Sequence, residues 1–259
     1  MATPRILIIA GSDSGGGAGI QADIKTVTML GGHAMTAITA ITAQNTLGVQ
    51  AVHPVPPDMV VAQMRSVLED IGVDAVKIGM IGSAETAHAV ADLLEQLDVP
   101  IVFDPVMVAT SGAELADPAT IAAFERLMAL ASVVTPNIPE LEALGGEAAV
   151  LDHGCHLIAK GGHAEGTYIV DRLIAPNGLM REVNGKRFDT TDTHGSGCTL
   201  ASAVAAGLGA GMEIEAAFTR AVSFVRIAIL EAPGLGQGHG PMGQQFVTDF
   251  QDPDDEWPG

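Results

Sequence analysis

A chain of 259 residues that is 47% hydrophobic can bury a full core. No Ser/Pro-rich linker or charge run divides it, so a single domain over 1–259 is expected. Twelve basic against 31 acidic residues give a formal net charge of −19, which argues against nucleic acid and anionic membranes as partners. Aromatic residues at 3% leave little for base stacking, and two cysteines without metal-ligand spacing suit a reducing cytoplasm. The apolar run after Met1–Arg5 is too short for a signal-peptide core, and no run reaches membrane-spanning length.

In chain order, Ile6–Ala10 reads as a buried strand ending at Gly11. Ser12–Gly17 is a glycine-rich loop, Ala18–Leu30 a helix and His33–Ala40 the next strand. Pro56-Pro57 opens a helix over Asp58–Asp70. Ala75–Ile78, Ile101–Phe103 and Ser132–Val134 read as further strands, alternating with helices at Ala84–Gln96 and Pro118–Leu130. Such alternation predicts an α/β fold with a parallel sheet and helices on both faces. Past Pro139–Leu144 the pattern thins, and Gly145–Gly154 reads as turn-like. Cys155–Ala159 is a strand, Thr167–Ile174 and Met180–Phe188 a pair at the sheet edge, and Gly197–Gly209 and Ile214–Leu230 helices. Asp252–Gly259, acidic with two prolines, reads as a loosely held tail.

The chemistry concentrates at a few junctions. Thr190–Ala203 runs from glycines and small hydroxyl residues straight into an Ala-rich helix, which points free backbone N–H groups at one spot. That is an anion site, with Cys198 in its first turn. With only four lysines (Lys25, Lys77, Lys160 and Lys186), a phosphate-binding protein of this charge must rely on backbone N–H groups and a metal ion. Gly11–Gly19 could let a ligand approach the backbone, or be a tight turn. It is no dinucleotide fingerprint, since Thr39–Thr42 and Gln44 stand where the acid is needed, and no P-loop, since no Gly-Lys-Ser/Thr follows.

Asp104 and Glu140 each follow a strand and could hold Mg²⁺, which binds through few carboxylates plus phosphate. The alternatives are a turn before Pro105, and a helix cap by Asn137 with Glu140 as its first-turn partner. Gln44, after another strand, has the donor and acceptor to read a heterocycle edge, or is a solvated loop residue. Lys160 could reach a phosphate or lie on the surface, and Asp23 could be a surface residue of its helix. Met80 and Cys155 fit core packing, and His33, His53, His88, His153 and His156 form no ligand cluster.

Eight segments in order carry a family resemblance. They are Ile9–Asp13, Gly15–Asp23, Thr42–Thr46, Lys77–Met80, Asp104–Met107, Thr135–Glu140, Lys160–His163 and Thr193–Thr199. Over nearly its whole length the chain resembles the hydroxymethylpyrimidine/phosphomethylpyrimidine kinases of thiamine biosynthesis, in the ribokinase-like superfamily. The resemblance implies a three-layer fold and a homodimer. It implies that ATP, with Mg²⁺, phosphorylates 4-amino-5-hydroxymethyl-2-methylpyrimidine and then its monophosphate. Gln44, Met80, Gly11 and Asp23 would serve the pyrimidine, and Gly195, Ser196, Gly197 and Cys198 the transferring phosphoryl group. Asp104 and Glu140 would lie near Mg²⁺, and Lys160 and Thr193 toward the nucleotide.

Cys198 stands where related sugar kinases carry an Asp base. A helix N-terminus is expected to lower its thiol from the usual ~8.5, fitting it to accept or share the alcohol proton in the first transfer. One departure is the short stretch 141–160, where family members carry a longer segment that includes a helix. It is expected to affect the nucleotide side and to bare an apolar sheet edge for a partner subunit. The other readings are a pyridoxal- or pyridoxine-type kinase of the same fold, and a non-catalytic pyrimidine-binding protein.

Overall fold

Strand β1 (Arg5–Asp13) sends Ile6, Ile8 and Ala10 to one side and Leu7 and Ile9 to the other, and all five are buried. A strand buried on both faces has to lie inside a sheet with helices above and below. The computed structural model, which describes residues 2–109, 112–162 and 167–248, has that form. His163 and the tail 252–259 lie outside the described residues.

After β1 come α1 (Gly19–Met29), β2 (His33–Asn45), β3 (Gly48–Pro54), α2 (Pro57–Asp70), β4 (Ala75–Ile78), α3 (Ala84–Leu94) and β5 (Ile101–Phe103). Next are α4 (Pro118–Leu130), β6 (Val133–Val134), α5 (Ile138–Ala143), α6 (Glu147–Leu151) and β7 (His156–Ala159). The chain continues through β8 (Tyr168–Ala175), β9 (Gly178–Lys186), α7 (Ser196–Gly209) and α8 (Ile214–Leu230) to a 3₁₀ turn at Gln244–Phe246.

Among the described residues nine strands form one sheet in the order β3-β2-β1-β4-β5-β6-β7-β8-β9. Strands β2, β1, β4, β5, β6 and β7 are mutually parallel, and β3, β8 and β9 join antiparallel. One core lies under α2, α3 and α4, where Phe103 and Phe124 meet edge to face at 5.1 Å. The other packs α1, α7 and α8 on the opposite face. The result is the predicted α/β architecture in three layers.

Helix starts follow local chemistry. Ser83 and Asp117 cap α3 and α4 by accepting the backbone N–H of Thr86 and Thr120. Asn137 and Glu140 form a capping box on α5.

Four expectations change. Strand β2 runs on to Asn45 and turns into an unforeseen β3, so Gln44 lies in a strand rather than after one. Ser12 belongs to β1, not to the loop. Gly145–Gly154 holds helix α6, whose Val150 packs in the core and whose Glu147 pairs with Arg172 of β8. The short 141–160 segment bares no sheet edge, because β7 lies between β6 and β8.

The chain leaves β1 outward in both directions, to β2 on one side and β4 on the other. The crevice beyond the carboxyl ends of the strands at such a reversal is where ligands bind in open α/β sheets. The N-terminal end of α7 lies at that edge, bridged through His194 to Asp13 at the end of β1.

Candidate active site

Helix α7 begins with Gly195 at its N-cap, in the left-handed region at φ 85°, so no side chain caps its first turn. A Cβ on Gly195 would stand 2.0 Å from the carbonyl oxygen of Gly17, so only glycine lets this turn rest on the first glycine loop. Gly17 in turn admits the His194 ring, whose Cδ2 would be 2.3 Å from a Cβ there. The open first turn of α7 gives an anion site at the positive end of the helix.

Cys198 sits in that turn, with the Gly19 backbone N–H near its sulfur. The helix was expected to lower its thiol, and the structure reverses that. Burial pushes the Cys198 thiol up to about 11, with the charges of Asp23 and Asp104 adding to it, against the pull of Lys77 and of Gly19. At neutral pH Cys198 in the free protein is a thiol.

Gly11, Gln44 and Met80 line one cavity of about 1020 Å³ together with Asp104, Glu140, Lys160 and the turn Thr193–Cys198. Met80 Sδ lies where a Cβ on Gly11 would be only 3.0 Å away, so the missing side chain leaves room for the thioether. Gln44 is clamped by Ser14, whose hydroxyl accepts the Gln44 backbone N–H and donates to its carbonyl oxygen, both at 2.8 Å. The Gln44 side chain lies 3.2 Å from Thr42 Oγ1 on one side and 3.2 Å from His194 Nε2 on the other. His194 Nε2 also lies 3.0 Å from Asp13 Oδ2. Burial alone would raise Asp13, but His194 and the backbone N–H groups of Ala18 and Gly15 hold it below the usual carboxylate range.

Beside the anion site, Lys160 Nζ donates to Asp104 Oδ1 at 2.8 Å and lies 4.0 Å from Glu140 Oε2, while Thr135 Oγ1 donates to Asp104 at 3.0 Å. A Cβ on Gly197 would stand 3.0 Å from Lys160 Nζ, so the ammonium lies against the first turn of α7. Burial would lower Lys160, but Asp104 and Glu140 keep it raised. Glu140 is raised above the carboxylate range by burial and by the charge of Asp104, against the pull of Lys160. Two buried carboxylates sharing one ammonium are hard-oxygen donors with charge to spare, which fits a divalent cation such as Mg²⁺. Among the described residues no three His, Cys, Asp or Glu side chains converge, so water and phosphate would complete its shell.

Asp23 lies elsewhere. It is wholly buried, accepts both hydrogen bonds of a Lys77 ion pair at 2.9 and 3.0 Å, and takes the Ser202 hydroxyl at 2.7 Å. The cavity wall does not include it. It ties α1, β4 and α7 together behind the site rather than facing a ligand. Burial would lower Lys77, but the charges of Asp23, Cys198 and Asp104 keep its ammonium raised.

The family profile described as phosphomethylpyrimidine kinase matches residues 13–243. The chain belongs to the phosphomethylpyrimidine kinase family. It is 46% identical to the hydroxymethylpyrimidine/phosphomethylpyrimidine kinase of Rhizobium meliloti over 257 residues, 93% of this chain and 96% of that one. It is 42% identical to the thiamine biosynthesis multifunctional protein ThiED of Corynebacterium efficiens, covering 96% of this chain but 36% of that longer protein. The pyridoxal kinase from Staphylococcus aureus in complex with AMP-PCP and pyridoxal superposes with a TM-score of 0.85 at 32% identity, over 94% of each chain. The fold is therefore that of the ribokinase-like kinases.

In this family member, sequence reasoning missed Asp13, His194 and Arg226 as cavity residues. All but Arg226 stood in segments singled out for other reasons. Asp13 and His194 are 181 positions apart, and no spacing rule joins them. Arg226 of α8 donates to the Asn184 carbonyl at 2.9 Å. It carried no sequence signal beyond its charge.

Two outcomes follow. Lys77→Met leaves the Asp23 carboxylate buried without its cation and should cost about 3–5 kcal/mol in urea unfolding. The double variant Asp23→Leu/Lys77→Met should recover much of that loss, and no recovery would mean the two residues act separately. With its thiol near 11, Cys198 should react slowly with iodoacetamide at pH 7 and about tenfold faster per pH unit up to pH 10. Peptide mass spectrometry of the folded protein reads this, and a rate flat above pH 7 would contradict it.

Proposed function

We propose that this protein transfers the γ-phosphoryl group of ATP to the hydroxymethyl group of 4-amino-5-hydroxymethyl-2-methylpyrimidine, then to the resulting monophosphate, in thiamine biosynthesis. The observation that carries the reading is one continuous cavity. It joins a heterocycle floor of Gly11, Gln44 and Met80 to the uncapped first turn of α7, with Lys160, Asp104 and Glu140 beside it.

Phosphoryl transfer asks chiefly for positioning and for charge where the phosphoryl oxygens pass. Gln44 would hold the aminopyrimidine edge with one donor and one acceptor, and Met80 would pack on the ring. Gly195, Ser196, Gly197 and Cys198 would surround the phosphoryl group in transit, with the backbone N–H groups of Gly195, Gly197 and Cys198 facing it while that of Ser196 goes to the Thr193 carbonyl at 3.1 Å. Lys160 and Thr193 would face the nucleotide phosphates. Mg²⁺, held through Asp104 and Glu140 with water between, would supply positive charge to the nucleotide phosphates.

Cys198 would act as a thiol, sharing a hydrogen bond with the attacking hydroxyl. A loose transition state needs little deprotonation before attack, so a thiol near 11 suffices there. The phosphate acceptor of the second transfer is already an anion and has no alcohol proton to share.

Supporting observations bear on the remaining expectations. One sheet running through the nine strands of the described residues supports a single kinase domain. Two free thiols, Cys155 and Cys198, support a cytoplasmic setting. Ile41, Leu47 and Val52, exposed on the β2–β3 hairpin, support a homodimer. Among the described residues no helix is long and apolar enough to cross a membrane. A pyridoxal kinase reading draws on the Staphylococcus aureus neighbour, but the higher identity to pyrimidine kinases favours the pyrimidine.

A coupled ADP-release assay with the pyrimidine alcohol, its monophosphate and pyridoxal separates these readings. Turnover of the first two, with pyridoxal slower, is expected. Binding of the pyrimidine without turnover of any of the three would instead make this a binding protein. Cys198→Ala should slow the alcohol step about 10²-fold and the monophosphate step far less. Equal losses would count against the hydrogen-bonding role of the thiol.

A further inference from the structure

The inference drawn from the cluster around the Gln44 carboxamide rests on the pyrimidine reading above. An amide can stand in two nearly isosteric orientations, and the protons around it decide between them.

The count starts at Asp13. Its Oδ1 accepts the Gly15 N–H at 2.8 Å, and its Oδ2 accepts those of Gly17 at 3.1 Å and Ala18 at 2.8 Å. A carboxylate only accepts, so His194 Nε2, 3.0 Å from Oδ2, must carry a proton whether the ring is neutral or charged. A nitrogen that donates to Asp13 has no lone pair to offer Gln44. The atom of Gln44 that lies 3.2 Å from it is therefore best an oxygen, since an NH₂ there sets donor against donor.

The other side agrees independently. Thr42 Oγ1 lies 2.9 Å from the Ser12 carbonyl oxygen, a pure acceptor, so its one proton goes there. Toward Gln44, 3.2 Å away, it has only lone pairs, which call for the amide NH₂.

We propose that Asp13, His194 and Thr42 lock the Gln44 carboxamide with its carbonyl toward His194 and its NH₂ toward Thr42, and that this lock sets which heterocycle the site accepts. The remaining lone pair and N–H of the amide then meet a ligand with its donor on the His194 side and its acceptor on the Thr42 side. His194 immediately precedes Gly195, the N-cap of α7.

In the aminopyrimidine the 4-amino donor lies between the ring acceptor N3 and the carbon bearing the hydroxymethyl group. Pairing in this register therefore sends the hydroxymethyl toward the anion site. A 4-oxo ring with a proton on N3 carries the same groups in reversed order and meets acceptor with acceptor and donor with donor. Asp13, His194 and Thr42 are positioning residues acting through Gln44.

Two measurements test this. The first compares kcat/KM for the 4-amino alcohol and its 4-oxo analogue. The wild type should favour the amino compound by about a hundredfold or more, because mispaired polar groups are rejected strongly. His194→Phe and Thr42→Val should each shrink that ratio, and the double variant should bring it under about tenfold by releasing the amide. Near-isosteric Thr42→Val stands in if His194→Phe misfolds. A purely structural role would slow both substrates alike, so an unchanged ratio in Thr42→Val and the double variant overturns the lock.

The second uses the free protein and needs no turnover. The Gln44 side-chain NH₂ resonances, assigned by their loss in Gln44→Glu, should show contacts to the Thr42 methyl group. Contacts to the His194 ring protons in their place overturn the lock. If the wild type turns over neither pyrimidine, the functional reading fails while this measurement still decides the orientation.

Discussion

The ion pair of Asp23 and Lys77 is the constraint on which the site rests. Both side chains are fully buried. A charge taken that far from water is tolerated only when paired and hydrogen-bonded, so its geometry is not free. Asp23 comes from α1, Lys77 from β4, and the Ser202 hydroxyl that completes the carboxylate from α7. Each of these elements delivers part of the cavity: the glycine loop opens α1, Met80 follows β4, and Cys198 begins α7. Shifting any one would expose or unpair a charge, which ties heterocycle floor and anion site to one frame.

The same residue serves a second purpose. In a chain of net charge −19 with four lysines, Lys160 lines the cavity and Lys77 lies buried behind it, near enough to Cys198 to pull on its thiol. Each ammonium is paired, Lys77 with Asp23 and Lys160 with Asp104, so its charge reaches the first turn of α7 partly neutralised. Cys198 shows the limit of that charge. A helix terminus is worth about 0.3–1 kcal/mol, less than the ~1.4 kcal/mol that moves a pKa by one unit. Dipole and lysine together do not offset the loss of water around the sulfur, so the thiol stays protonated. Reading the helix N-terminus alone gave the wrong sign because burial is a property of the packed protein, not of the local motif.

What the sequence made legible follows the range of the forces involved. Helix α4 was found to the residue at both ends because a cap and a proline mark its start, and α8 because its apolar periodicity is long. The parallel strands showed as apolar runs because both faces are buried. Strand β3 was missed because its side chains are mostly exposed at the edge and carry no apolar run. Helix α6 is five residues long and lost among glycines. At the site, Gln44, Asp104, Glu140, Lys160 and Cys198 were each legible from a position beside a strand or helix end. Asp23 was misplaced because its role depends on Lys77, 54 positions away. The Asp13–His194 contact has no local signature at all.

That long-range contact also explains how recognition and transfer would share one short segment. His194 touches Gln44, the residue that would read the heterocycle, and the next residue opens the turn that would hold the phosphoryl group. Gly17 and Gly195 meet without side chains, so no intervening atoms can absorb a shift between these two ends. A ligand seated one register wrong on Gln44 would therefore carry its hydroxymethyl group away from α7, with no loose element to correct it. The segment 141–160 sits outside this frame. Its helix α6 is anchored by Val150 in the core and by Glu147 on β8, while Lys160 keeps its own partner in Asp104. A change there would leave in place the groups proposed to align alcohol and phosphoryl.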